Sequence, residues 1–273
     1  MTPRPGTRPA VRTSPRTGPR PGGADGADGT LLLVAHGSRD PRHAETVTAV
    51  AERVRSLRPG LHVAMGFLDH CAPRVEQLLE RLEGQVTALP LLLNRAFHAK
   101  SDIPGVLAAA AARNPRIDVR QGDVLGPSPL LLDALVRRLA EAGVRPAPDT
   151  GVVLAAAGSS DPAANAVTLQ VAAELERVHG WAAVEVAHAS AAPPRVADAV
   201  AALRARGARR IAVAPYLLAP GLLPDRIASE AATVKVDALA EPLGDAPELA
   251  RLLLHRYDQA RTGAVPALLR LSA

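Results

Sequence analysis

Ala35-His36-Gly37-Ser38-Arg39-Asp40-Pro41 returns later in the chain as Ala156-Ala157-Gly158-Ser159-Ser160-Asp161-Pro162, with five of seven positions identical. The offset is 121 residues, and the triplet Pro73-Arg74-Val75 recurs as Pro194-Arg195-Val196 at the same offset. No gap separates these two matches. Further on, Pro90-Leu91-Leu92-Leu93 faces Pro215-Tyr216-Leu217-Leu218, and Leu125-Gly126 faces Leu243-Gly244. Self-similarity of this length is the mark of a duplicated structural unit. A Pro-rich linker over residues 145–149 divides the two copies.

Within the first copy, short apolar runs alternate with amphipathic stretches. Residues 31–35 read as a buried strand, after which Asp40 and Pro41 offer an N-cap and a first-turn proline for a helix to about Leu57. Strands are expected at 62–67, 86–93 and 117–121, and helices at 73–82, 103–112 and 128–140. This alternation predicts a parallel sheet with helices on both faces. The fold class is therefore α/β: two similar lobes, each a parallel four-stranded sheet flanked by helices, with a ligand cleft between them. The expected boundaries are a disordered Pro/Gly/Arg-rich tail over 1–29, a first lobe over 30–145 that carries the active site, a degenerate repeat over 146–262, and a tail over 263–273.

Composition narrows the class. Apolar residues make up 48% of the 273 and aromatics only 2%, so Ala, Val and Leu must fill the core. The net charge of +5 is uneven: residues 1–29 hold five Arg against Asp25 and Asp28, leaving +2 on the rest. A nucleic-acid binder would carry a dense basic face with stacking aromatics, and neither is visible. Cys71 is the sole cysteine, which excludes an internal disulfide or a thiolate cluster. With no apolar run of membrane-spanning length and no signal-peptide pattern, the expected location is the cytoplasm, away from any membrane.

Ligands of open parallel sheets sit beyond the carboxyl ends of the strands, and there the two copies differ. After the first strand His36 faces Ala157, and after the second Asp69 faces Ser190. After the third, Asn94, Arg95, Phe97 and His98 face Ala219, Pro220, Leu222 and Leu223. The scaffold is kept while the reactive side chains are not. Two imidazoles and a carboxylate suit Fe²⁺, Co²⁺, Ni²⁺ or Zn²⁺. His70, beside Asp69, is a spare ligand candidate. His43 is expected to face solvent and His255 to sit near a helix end. Gly37 is read as a turn that lets backbone approach a ligand. No HExxH, GxSxG, GxGxxG or phosphate-loop motif is present.

The ordered set Val34-Ala35-His36-Gly37-Ser38-Arg39-Asp40-Pro41, then Gly66-Phe67-Leu68-Asp69 with Pro73, then Pro90 through His98 followed by Asp102-Ile103-Pro104, resembles the sirohydrochlorin chelatases, the class II chelatases of siroheme and cobalamin synthesis. The resemblance spans about residues 30–262, in the long, internally duplicated form. It implies an enzyme that inserts a divalent metal (Fe²⁺, Co²⁺ or Ni²⁺) into sirohydrochlorin, with the metal as substrate and no permanently bound cofactor. His36 and His98 correspond to the family's two histidines and would bind the metal and accept protons, with Asp69 orienting or assisting. Ser38, Arg39, Arg95 and Lys100 would offer donors to the substrate's carboxylates. The competing readings are a protoporphyrin ferrochelatase, which needs a more aromatic lip, and a non-catalytic metal or tetrapyrrole binder. Because the duplication supplies two pseudo-twofold lobes in one chain, a monomer is expected.

Overall fold

The computed structural model describes residues 29–94 and 102–263; the expected N-terminal tail up to Asp28 and the final residues 264–273 lie outside them. In the first lobe β1 (Thr30–Ala35), α1 (Pro41–Leu57), β2 (His62–Phe67), α2 (Val75–Leu79), β3 (Gly84–Pro90), α3 (Ile103–Arg113), β4 (Ile117–Gln121) and α4 (Pro129–Glu141) follow one another. The second repeats the order with β5 (Thr150–Ala156), α5 (Pro162–His179), β6 (Ala183–His188), α6 (Val196–Ala205), β7 (Arg210–Tyr216), α7 (Leu222–Val234), β8 (Ala238–Leu239) and α8 (Pro247–Thr262). Two four-stranded sheets result, ordered β2-β1-β3-β4 and β6-β5-β7-β8. Every strand pair is parallel. The α/β architecture expected from the alternating pattern is the one observed.

Local chemistry explains both the agreement and the differences. Asp40 caps α1, its carboxylate accepting from the Arg42 N–H, with Pro41 at the first helical position. Asp161 and Pro162 do the same for α5. The second helix is shorter than expected because the Pro73 carbonyl accepts from the Phe67 N–H, which commits that residue to the edge of β2. The third strand stops at Pro90 instead of Leu93: β1 ends at Ala35 and β4 at Gln121, so no continuous ladder remains beyond it.

Odd and even positions of β1 face different cores. Leu31, Leu33 and Ala35 join Val54 of α1, Leu135 of α4, Leu249 and Leu253 of α8, and Val152 and Leu154 of β5 in one apolar cluster. Leu32 and Val34 pack with Leu79 and Ile103 on the outer face. Val153 and Ala155 meet Val196 and Ile227 on the outer face of the second sheet. The molecule is thus layered: helices, sheet, shared helices, sheet, helices. The last helix of each lobe crosses to the other, with α4 packing on β7 and α8 packing on α1 and β3. Cross-lobe ion pairs flank that core: Arg53–Asp245 at 2.5 Å, Arg58–Asp258 at 2.6 Å, and Arg137–Glu248. Their partners are mostly a quarter to a half exposed, so apolar burial is the larger coupling term. Among the described residues no helix is long and apolar enough to cross a membrane.

A shared core makes the lobes unfold together. Leu135, fully buried in α4, lies in the same cluster as Trp181, the only tryptophan, in the second lobe. Leu135→Ala is expected to cost about 2–5 kcal/mol and to move the urea midpoint of Trp181 fluorescence together with that of far-UV dichroism. A fluorescence transition that stays put would mean the lobes unfold independently.

Candidate metal-handling site

His36 follows the last residue of β1, in the turn that leads to the α1 N-cap. Its Nδ1 lies 3.1 Å from the Gly37 carbonyl oxygen. A carbonyl can only accept, so this bond requires the proton on Nδ1 and leaves the lone pair on Nε2. The ring lines a cavity of about 600 Å³ together with Leu68, Asp69, Arg74, Asp102, Gly105 and Val106. That cavity opens at the carboxyl edge of the first sheet, where strand topology places ligands.

The turn carrying His36 is tied to the loop after β2 by main-chain bonds. Leu68 N–H donates to the Ala35 carbonyl at 2.9 Å and Asp69 N–H to the His36 carbonyl at 2.8 Å. Gly37 has φ +93, and a Cβ there would stand 1.8 Å from the Asp69 carbonyl oxygen. Glycine is required there by the turn itself, as the protein's own backbone fills the space of a Cβ. Cys71 adds a further tie, its thiol donating to the Ser38 carbonyl at 3.0 Å. In the second lobe a different pair ties the same two loops: Ser190, the counterpart of Asp69, donates from Oγ to the Ala157 carbonyl at 3.0 Å.

Asp69 is exposed and ionised. Its Oδ1 accepts from Arg74 Nη1 and from the His70 N–H, both at 2.8 Å. The Arg74 guanidinium, then the backbone bond from His70, hold the carboxyl down to about 2. His70 adopts φ +61, its Nε2 is 3.6 Å from Asp69 Oδ2, and its ring centroid is 6.3 Å from that of His36. The spare ligand candidate is therefore a neighbour of His36. Ser38 Oγ accepts from the Asp40 N–H, and Arg39 is exposed at the same turn. Arg95, His98 and Lys100 lie outside the described residues. Among the described residues, no three His, Cys, Asp or Glu side chains gather closely enough to hold a metal ion.

Sequence reasoning missed Arg74 and Asp102. Arg74 had a signal, since it stands in the repeated Pro-Arg-Val triplet. Its counterpart Arg195 instead donates to the His188 carbonyl at 3.0 Å, so the repeat conceals a change of task. His43 does not face solvent: it is half-buried, 6.2 Å from the Phe67 ring, with its Nδ1 enclosed. Burial, then the nearby His36, lowers its pKa. His255 lies in the middle of α8, not near its end.

Comparison with known proteins places the two copies in one family. The CbiX family model matches residues 30–142 and again residues 151–260. A sirohydrochlorin ferrochelatase of Priestia megaterium is 31% identical over 234 residues, covering 83% of this chain and 88% of that protein. A sirohydrochlorin cobaltochelatase of the same organism is 26% identical, covering 86% and 81%. The structure of SirB from Bacillus subtilis with Fe³⁺ superposes with a TM-score of 0.74 at 26% identity, covering 85% of this chain and 94% of that one.

Two measurements test this geometry. Gly37→Ala and Gly60→Ala share a positive φ, +93 and +91, but nothing lies within 4 Å of a Cβ at Gly60. Each should lose about 1–3 kcal/mol for the backbone conformation, and Gly37→Ala clearly more in urea unfolding; equal losses would show that the Asp69 loop yields freely. Arg74→Ala should return the Asp69 carboxyl from about 2 toward the ordinary 3.8 in an NMR titration. A carboxyl depressed by folding stabilises the native state above its unfolded pKa, and that contribution fades as pH falls from about 4 through 2. An Asp69 signal unmoved by Arg74→Ala would sink the assignment.

Proposed function

The chain belongs to the CbiX family, and from that membership we propose that it inserts Fe²⁺ or Co²⁺ into sirohydrochlorin, on the way to siroheme or cobalamin. The reaction exchanges two pyrrolic protons for one divalent ion. The protein must help the ion shed water, accept those protons, and let the product go. Two relatives that align over more than four-fifths of their length are named for this substrate, which favours it over protoporphyrin. Turnover, as those names imply, favours an enzyme over a carrier. The metal is a substrate on this reading, and Ni²⁺ suits the same donors.

One observation carries the reading: an imidazole at the carboxyl edge of the first sheet, its Nδ1 3.1 Å from the Gly37 carbonyl oxygen and its ring lining the cavity there. The second lobe has Ala157 there. His98 supplies the partner imidazole. Asp102, four residues beyond it, lines the His36 cavity, and four residues of chain span at most roughly 14 Å. Two imidazoles bind a divalent ion and still release it, as thiolates would not. Asp69 acts through its fixed charge: held ionised by Arg74, it favours an approaching dication yet is a weak base, so the protons go to the histidines. Ser38 and Arg39 at the turn, with Arg95 and Lys100, bind the substrate's carboxylates, and Arg74 joins them. Residues 30–145 thus form the lobe that carries the chemistry and 146–262 the supporting repeat. The enzyme works as a cytoplasmic monomer, its two lobes in pseudo-twofold relation.

The test follows sirohydrochlorin absorbance anaerobically with Co²⁺ or Fe²⁺ and purified protein. His36→Ala and His98→Ala should each lower the rate by about 10²-fold or more, and Asp69→Asn by less. Unchanged turnover in His98→Ala would remove it from the mechanism.

A further inference from the structure

We infer that Leu222, from the second lobe, is a substrate-positioning residue that supports the face of the tetrapyrrole ring; this rests on the proposed insertion reaction. Leu222 opens α7 and is 72% exposed, the highest value among the large apolar residues found on the surface of the described chain. Exposing so much aliphatic surface at a helix start costs free energy that a covering ligand would recover.

Two independent contacts place this residue beside the first lobe's site. Asp225, three positions along α7, accepts from Arg42 Nη2 at 2.6 Å. Arg42 lies in the first turn of α1, immediately after the turn that carries His36, Ser38 and Arg39. Side chains three apart share a helix face, so Leu222 lies on the side of α7 turned toward α1, one turn nearer its start. Just before it, Leu218 and Ala219 line a small interlobe cavity with Ala35 and His43. The β7–α7 connection therefore packs against the base of the His36 turn and emerges at its rim with an aliphatic side chain.

The chemistry of that rim selects the occupant. Exposed Arg39 stands at the turn beside it, Arg42 being held by Asp40 and Asp225, and Leu68 and Val106 line the cavity beyond. A flat, largely apolar macrocycle fringed with carboxylates meets both demands: its face on Leu222 and an acidic arm on Arg39. Position 222 corresponds to Phe97 in the first copy, so the second lobe keeps an apolar residue there while losing the reactive histidine that follows.

The experiment is a steady-state series with Co²⁺ and sirohydrochlorin, together with metal-free sirohydrochlorin titration followed by absorbance. Leu222→Asp should raise the KM and the metal-free Kd for sirohydrochlorin about tenfold, while kcat and the KM for Co²⁺ change less than twofold. Leu222→Met should behave as the parent. Val178→Asp, 49% exposed in the last turn of α5 at the opposite edge of the sheet, is the control and should change nothing. An unchanged sirohydrochlorin KM and Kd in Leu222→Asp would overturn the inference, as would an equal effect from Val178→Asp. Failure of the parent protein to insert metal while it still binds sirohydrochlorin, with binding weakened by Leu222→Asp, would overturn the insertion reaction and keep the role of Leu222. A parent protein that does not bind sirohydrochlorin would overturn both.

Discussion

Everything at the site rests on the missing Cβ at position 37. With φ +93, Gly37 turns the chain so that the Asp69 carbonyl occupies the space a side chain would need. The second copy repeats this at Gly158, with φ +81 and the Ser190 carbonyl in the same place. The bonds that follow are main-chain bonds in both lobes: Asp69 N–H to the His36 carbonyl, and Ser190 N–H to the Ala157 carbonyl. None of them depends on which side chain stands at 36 or 157. The scaffold therefore tolerates loss of the histidine, and a duplicated copy can keep the fold after giving up the chemistry.

That leaves the question of why the second copy persists. The exchange of helices answers it. The first sheet's inner face is covered in part by α8, which belongs to the other lobe, and α4 of the first lobe lies on β7 in return. Leu249 and Leu253 of α8 share one cluster with Leu31 and Leu33 of β1. Removing the second lobe would uncover that face and place buried leucines in water, at roughly 1.5–3 kcal/mol for each side chain. The repeat that lacks a histidine at the position of His36 is part of the core on which His36 is mounted.

The sequence made the local grammar plain and left the long-range geometry hidden. Asp40-Pro41 and Asp161-Pro162 announce helix starts because a cap acts on the two residues that follow it, and both helices begin there. The contrasts of His36 with Ala157 and Asp69 with Ser190 fall beyond the carboxyl ends of β1 and β2, where the fold brings His36 and Asp69 to one cavity. His43 was misjudged because helical position alone does not say which neighbour covers it; here Phe67 of β2 does. The end of β3 depended on where β1 and β4 stop, a property of partners and not of residues 91–93. The crossing of α4 and α8 has no signature in periodicity, because an amphipathic helix looks the same whichever lobe receives its apolar face.

Arg74 and Arg195 show how one conserved frame serves two ends. Each opens the helix after the second strand with an extended backbone, and each bonds back to the loop before it. In the second lobe the available acceptor is the His188 carbonyl. In the first lobe a carboxylate stands within reach, and Arg74 takes it. The pair is close to neutral as a whole, and both its ends line the cavity beside His36. On the proposed reaction, a dication arriving there would meet a fixed charge that does not have to be deprotonated and an imidazole already oriented by Gly37. Neither group grips strongly alone, which suits an ion that must be handed on rather than kept.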